Sequence, residues 1–351
     1  MKTERFYEIL ENMKEVKIAV LGDLFLDRIF YVDRQWDEIS VETGLTAYQV
    51  KRKISVPGAA GVATNNLSAL GIKRIYGMGI LSNDGEGFEL EKGLKQTGVD
   101  TTYMIRTDEF FTPTYTKTFF EDSMTGKVEE THRIDIKNRN HLTELLQKKI
   151  VHNIRVLEEE VDAFVCLEQL EDGECGVFGT MVREELARVG REGRTKVFVD
   201  SRYHIRDFSD VMIKCNDLEV LRAVGDTDIK ECTKEEYFQR VEKAMDIVAM
   251  QRGTPVIVSC GEEGMKICRN GKTETIQAYP IQGEIDVCGA GDSALAGISA
   301  AYCAGADLQE AALMGNLVAS LIVQQIGVTG VIDIDRFKQR FYEYTERWKE
   351  V

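Results

Sequence analysis

The 351-residue chain has room for one large α/β domain or two small ones, and 43% hydrophobic with 29% charged residues gives a globular protein a sizeable core. A formal net charge of −15 excludes the basic footprint that a nucleic-acid backbone requires. The opening MKTERFYEILENMKE lacks the apolar stretch of a signal peptide, and no run approaches the roughly 18 apolar residues of a membrane span, so a cytoplasmic protein is expected. The eight cysteines form no C-x-x-C pair and read as reduced thiols. His132, His141, His152 and His204 are dispersed and H-E-x-x-H is absent, so no dedicated transition-metal site is expected.

Short apolar runs in chain order predict buried parallel strands: VKIAVLG (16–22), AFVCL (163–167), KVFVDS (196–201) and PVIVSCG (255–261). Helical patterns lie between them, at 178–193 and 235–250. Such alternation predicts an α/β fold with a mostly parallel sheet covered on both faces. Two segments, 29–55 and 103–135, break it with strand-rich sequence, and TPTYTKTFFE (112–121) with KVEETHRIDI (127–136) reads as a hairpin. They form either a small β lid or ordinary excursions from a single domain spanning 1–351. LVASLIV (317–323) reads as buried helix, and Phe337, Phe341, Tyr344 and Trp348 make one helical stripe suited to core docking.

DVCGAGDSALAGISAAY (286–302) sets Gly289, Ala290, Gly291 and Asp292 ahead of a small-residue helix that should begin near Gly289. A helix N-terminus presents unpaired N–H groups and a positive potential, and glycines let an anion approach closely. A carboxylate there would repel the anion unless it had a proton to remove. A phosphate held beside a hydroxyl about to be deprotonated accounts for both features; the alternative is that Asp292 caps a helix and the glycines make a turn. Two other phosphate motifs fail: NGKT (270–273) lacks the P-loop's first glycine, and GMGILS (77–82) has Ser82 where a dinucleotide fingerprint needs glycine.

The motifs, taken in order, resemble the ribokinase (PfkB) carbohydrate kinase family. LGDLFLD (21–27) is similar to its Gly-Asp-x-x-x-Asp, and PGAAGVATNNLSALG (57–71) stands in place of its Gly-Gly region and following helix. LSNDGEG (81–87), KCNDLE (214–219), VSCGEEG (258–264) and DVCGAGD (286–292) are similar to its remaining elements. GDLFLDR, TPTYTKTFF and HRIDIK lean toward the heptose-phosphate kinase branch.

The resemblance implies a ribokinase-like fold and transfer of the ATP γ-phosphoryl to a sugar or sugar-phosphate hydroxyl. It implies an anion hole at Gly289, Ala290 and Gly291, with Asp292 as the base. Asn216 and Glu219 would position Mg²⁺ and its waters, unless they only cap a helix. Ser259 and Gly261 would line the nucleotide side, with Asn316 near the adenine or satisfying a buried helix. A monovalent cation near Asp286 is a further implied site. Asp23, Asp27 and Gly58 would face the sugar, with an Asp27–Arg28 ion pair as a rival arrangement. Lys117, Arg133 and Arg202, with Arg106, would suit a phosphorylated sugar, unless they pair with neighbours such as Asp108, Glu121 and Asp135. Family lids often pair between subunits, so a homodimer is expected.

Two departures bear on the substrate. Ala59 replaces the second glycine of the usual pair, and Val62 stands at the position of an asparagine facing the sugar, with Asn66 the candidate to replace it. A nucleoside or other hydroxyl acceptor and a non-catalytic ligand-binding homologue are the alternative readings.

Overall fold

The computed structural model describes residues 1–228, 232–327 and 329–348. Helix α1 (Thr3–Met13) leads into β1 (Lys17–Gly22) and β2 (Leu24–Val32). The short strands β3 (Glu38–Ile39) and β4 (Thr46–Ala47) precede β5 (Val50–Ala59), α2 (Ala60–Ala69), β6 (Arg74–Ser82) and α3 (Gly85–Gln96). Strands β7 (Val99–Asp100), β8 (Met104–Thr107), β9 (Thr114–Glu121) and β10 (Val128–Ile136) follow, then α4 (Glu144–Leu157). Next come β11 (Ala163–Glu168), α5 (Thr180–Glu192), β12 (Lys196–Ser201), β13 (Met212–Asn216), α6 (Asp217–Ala223) and α7 (Lys234–Arg252). The chain ends with β14 (Val256–Ser259), β15 (Met265–Arg269), β16 (Lys272–Ile276), α8 (Ala290–Cys303), α9 (Leu308–Ile322) and α10 (Ile334–Arg347).

The large sheet has the order β16-β15-β14-β13-β12-β11-β1-β6-β7, with β8 also on β6. Pairing is parallel from β14 through β7, and antiparallel only where β15 and β16 are added at one edge. Side-chain alternation divides the core: Ile18 and Val20 join one cluster, Ala19 and Leu21 the other. Helices α1, α2, α3, α8, α9 and α10 cover the first face, and α4, α5, α6 and α7 the second. The four apolar runs read as strands, and the two helical patterns, fall on β1, β11, β12, β14, α5 and α7. The aromatic stripe of α10 docks as core, with Phe341 stacked on Phe6 at a centroid separation of 4.0 Å. No described helix is long and apolar enough to cross a membrane.

A second sheet, ordered β10-β9-β2-β5, stands on the carboxyl side of β1. The β9–β10 hairpin is antiparallel, and β2 pairs antiparallel with β5 but parallel with β9. Its boundaries differ from the sequence expectation. Strand β2 enters the small sheet at Leu24 rather than near 29, and β8 pairs with β6 of the large sheet. One strand pair apart from both sheets, β3–β4, carries exposed apolar residues.

Candidate active site

Parallel α/β sheets present ligands at the carboxyl ends of their strands, where the connections diverge. Here those ends carry Glu168 (β11), Asp200 (β12), Asn216 (β13) and Ser259 (β14), and Asn216 is paired in register with Ser259. The N-terminus of α8 faces the same region. Gly289 caps that helix with φ 74°, a left-handed conformation that disfavours any side chain, and a Cβ there would also lie 3.2 Å from Val62 Cγ1. A Cβ on Gly291 would lie 2.9 Å from Lys214 Nζ. First-turn amides of a helix have no acceptor within it, so this end can bind an anion.

Asp292, in the first turn of α8, is held at a pKa of about 7. Burial is the main cause, followed by the negative charge of Asp200, and Lys214 and Arg202 only partly offset them. Lys214 is buried, and its ammonium donates to Asp200 Oδ2 at 2.7 Å, a pair set directly beneath Gly291. Neither Lys214 nor Asp200 was singled out from the sequence. The available signal was a charged residue inside a short buried strand, Lys214 in MIKCN and Asp200 in KVFVDS.

Asn216 and Glu219 close a capping box on α6: Asn216 Oδ1 accepts from Glu219 N and Glu219 Oε2 from Asn216 N, each at 2.8 Å. Burial and the nearby Asp200 raise Glu219 to about 7. Asp200, Glu219 and Asp292 act on one another as negative charges, and such oxygen donors suit a hard divalent cation. Among the described residues their ligand atoms are not gathered within direct-ligation distance of one another. Asp286 fits a monovalent cation less well. Its Oδ1 accepts from Cys288 N at 2.9 Å and its Oδ2 from Gly327 N at 3.0 Å, which makes it a loop staple.

On the other side of the cleft, Asp27 projects from β2 over Gly58 of the paired strand β5. A Cβ on Gly58 would lie 2.3 Å from Asp27 Cγ and 2.4 Å from each carboxylate oxygen, so glycine is what gives the carboxylate its position. Asp27 Oδ1 is buried without a partner among the described residues, and Thr329 Oγ1 donates to Oδ2 at 3.4 Å. Burial raises Asp27 to about 6, against the pull of Lys117, Arg133 and Arg202. Arg28 does not pair with it; its guanidinium reaches Glu86 at 2.9 Å and Glu89 at 3.0 Å.

These contacts bear on the side chains that the sequence analysis offered to ligands. Asp23 is not free for a ligand, because its oxygens accept from Gln169 N at 2.9 Å and Val177 N at 3.1 Å. Asn66 does not replace the missing asparagine. Its amide donates to Val62 O, Ser293 Oγ and Gly330 O, and its oxygen accepts from Ile332 N, so it locks α2 to the start of α8. The Asn316 amide is occupied by Gln277 O at 2.9 Å, the buried-helix alternative. Arg133 forks onto Asp135 with two bonds of 2.7 Å while stacking on Tyr115. Arg106 likewise pairs with Glu91. Ser259 Oγ donates to Cys215 O at 3.3 Å, and Gly261 opens the tight turn after β14. Lys117 and Arg202, by contrast, form no side-chain ion pair among the described residues, and both act on Asp27.

The model of the pfkB family carbohydrate kinases matches residues 16–334. The chain belongs to that family. Among curated family relatives, the bifunctional protein HldE of a Nitratiruptor species is 28% identical over 313 residues, covering 89% of this chain and 62% of that protein. The HldE protein of Gluconobacter oxydans is 26% identical, covering 92% and 64%. The chain thus spans under two thirds of these relatives' length. The fold is that of Arabidopsis thaliana ribokinase complexed with ribose and ATP (TM-score 0.63, 17% identity, 93% of this chain and 99% of that one). It is equally that of Escherichia coli phosphofructokinase-2 in complex with fructose-6-phosphate (TM-score 0.66, 15% identity, 95% and 100%). Family membership makes the chain a carbohydrate kinase with a ribokinase-like fold.

Proposed function

We propose that this carbohydrate kinase transfers the γ-phosphoryl of ATP to a hydroxyl of a sugar phosphate, of the heptose 7-phosphate kind, ahead of a free hexose. The observation that carries the reaction is Asp292, poised near neutrality beside the amides of Gly289–Gly291. Its carboxylate takes the proton from the acceptor hydroxyl as the oxygen forms a bond to the γ-phosphorus and the bond to the β-phosphate oxygen breaks. The first-turn amides of α8 and the Lys214 ammonium stabilise charge spreading over the phosphoryl oxygens. A hydrated Mg²⁺ held by Glu219 and Asn216 would neutralise the triphosphate. Asp27 accepts from acceptor hydroxyls through its unpartnered oxygen, and the small sheet closes over the cleft as a lid that excludes water.

Preference for a phosphorylated acceptor rests on Lys117 and Arg202, cations without an ion-pair partner on the acceptor side. The test is a pair of kcat/KM values, for a sugar phosphate and its unphosphorylated parent, in wild type and in Lys117→Ala and Arg202→Ala. A preference for the phosphate that both variants abolish is expected; a preference for the free sugar, unchanged in the variants, refutes the assignment. The same reading includes a homodimer formed through the small sheet and its β3–β4 ribbon, which expose Ile39, Val41, Leu45, Val50 and Ile134. Light scattering of a monomer at micromolar concentration refutes it.

A further inference from the structure

Away from the catalytic cleft, His141, Asp172 and Cys175 bring one ligand atom each, all within 4.8 Å of one another. His141 Nε2 lies 3.3 Å from Asp172 Oδ2. Donors 2.0–2.3 Å from a tetrahedral ion stand roughly 3.3–3.7 Å apart, so small side-chain adjustments would gather this set. A nitrogen, an oxygen and a sulfur donor select a borderline-soft cation over Mg²⁺.

The geometry is fixed by backbone contacts that do not involve the ligand atoms. Leu142 N donates to Glu174 O at 2.7 Å, which clamps the segment before α4 to the β11–α5 connection. Within that connection, Cys175 N donates to Asp172 O at 3.0 Å. Asp172 Oδ1 is taken by Glu174 N at 3.1 Å, which turns Oδ2 toward His141 Nε2. The Cys175 residue is buried, whereas the His141 side chain is 68% exposed, so the set has a fixed inner end and an open entrance. Glu174 does not complete it, because Arg183 holds its carboxylate at 3.1 Å.

We propose that His141, Asp172 and Cys175 form a binding site for one divalent cation of the zinc class, with water completing the coordination. No local spacing announces it, since His141 reaches the other two only through the fold. Its position gives occupancy a consequence. The same connection supplies the Gln169 and Val177 amides that hold Asp23, and Cys175 with Leu170 packs on Phe25 and Ala59, next to Asp27 and Gly58. A bound cation would therefore brace the base of the strand pair that carries Asp27.

The test uses the full chain, freed of metal with a chelator and titrated with Co²⁺ and then Zn²⁺. A thiolate-to-cobalt absorption band at one ion per chain is expected, displaced by Zn²⁺ and absent in Cys175→Ser. The exposed His141→Ala, which does not threaten folding, should weaken Zn²⁺ at least about 10-fold, the least that losing even a ligand's supporting partner costs. Cys288→Ser, which removes the exposed thiol beside α8, should leave the band unchanged. No band, a band that persists in Cys175→Ser, a Zn²⁺ affinity unchanged in His141→Ala, or a band lost only in Cys288→Ser overturns the proposal.

Discussion

Gly58→Ala isolates the role of Asp27 without touching a polar group. The new methyl would begin 2.3 Å from Asp27 Cγ and 2.4 Å from both oxygens. Non-bonded carbons settle at about 3.5–4.0 Å, so the carboxyl group must move by more than about 1 Å. It is the free end of a short side chain, held among the described residues by Thr329 at 3.4 Å, and it moves more easily than the β2–β5 ladder. Such a displacement removes any hydrogen bond of normal length to an acceptor hydroxyl. A hydrogen bond to a charged group contributes about 1.5–3 kcal/mol. At about 1.36 kcal/mol per tenfold in rate, kcat/KM for the acceptor should fall roughly 10- to 150-fold. The KM for ATP and the unfolding midpoint should change little. Steady-state kinetics read the effect, and a cycle with Asp27→Ala tests its cause. Once the carboxylate is gone the methyl has room, so Gly58→Ala should then cost almost nothing. A loss below about threefold in the single variant, or an equal loss in the Asp27→Ala background, refutes the assignment.

Acidity provides a second check. Asp27, Glu219 and Asp292 are raised to about 6, 7 and 7, so the folded state holds more protons than the unfolded chain between pH 4 and these values. Stability without ligands should therefore fall as pH rises from about 5 to 8, with a shallower slope in Asp292→Asn, read by thermal unfolding; a flat or rising curve contradicts it. For the same reason kcat/KM should climb with pH to a plateau above about 7, and Asp292→Asn should lower kcat by about 10²-fold or more. Lys214→Met leaves Asp200 buried and unpaired and should destabilise by about 3–5 kcal/mol in urea. Adding Asp200→Asn should restore most of that stability but not kcat; recovery of both would make the pair purely structural. Ala59 sits at φ 50°, ψ −119°, where glycine is favoured, so Ala59→Gly should stabilise by about 1 kcal/mol in urea titration, and a loss of stability would show that the Ala59 methyl's packing outweighs its backbone strain.

The sequence by itself determined the layered α/β architecture and the place of the candidate anion-binding helix end. Apolar strands such as KIAVLG can be buried only between two helical layers, and GAGD before a small-residue helix puts a glycine cap and a first-turn carboxylate at one helix end through local backbone geometry. What lay beyond it were relations between distant segments. Asp23 and Asn66 are polar residues in motif positions, and only the packed chain shows that backbone amides, Ser293 and the Gly330 carbonyl occupy them. Likewise, whether a cation is free or paired depends on which carboxylate the fold brings close. Arg133 meets Asp135 within its own strand, while Lys117 on β9 and Arg202 just after β12 both act electrostatically on Asp27. Lys214 drew no notice in the sequence, because a buried ammonium acquires its meaning from Asp200 and Gly291, which reach it from β12 and α8. Local propensity and periodicity are properties of neighbours along the chain, whereas hydrogen-bond satisfaction and electrostatic pairing belong to neighbours in space.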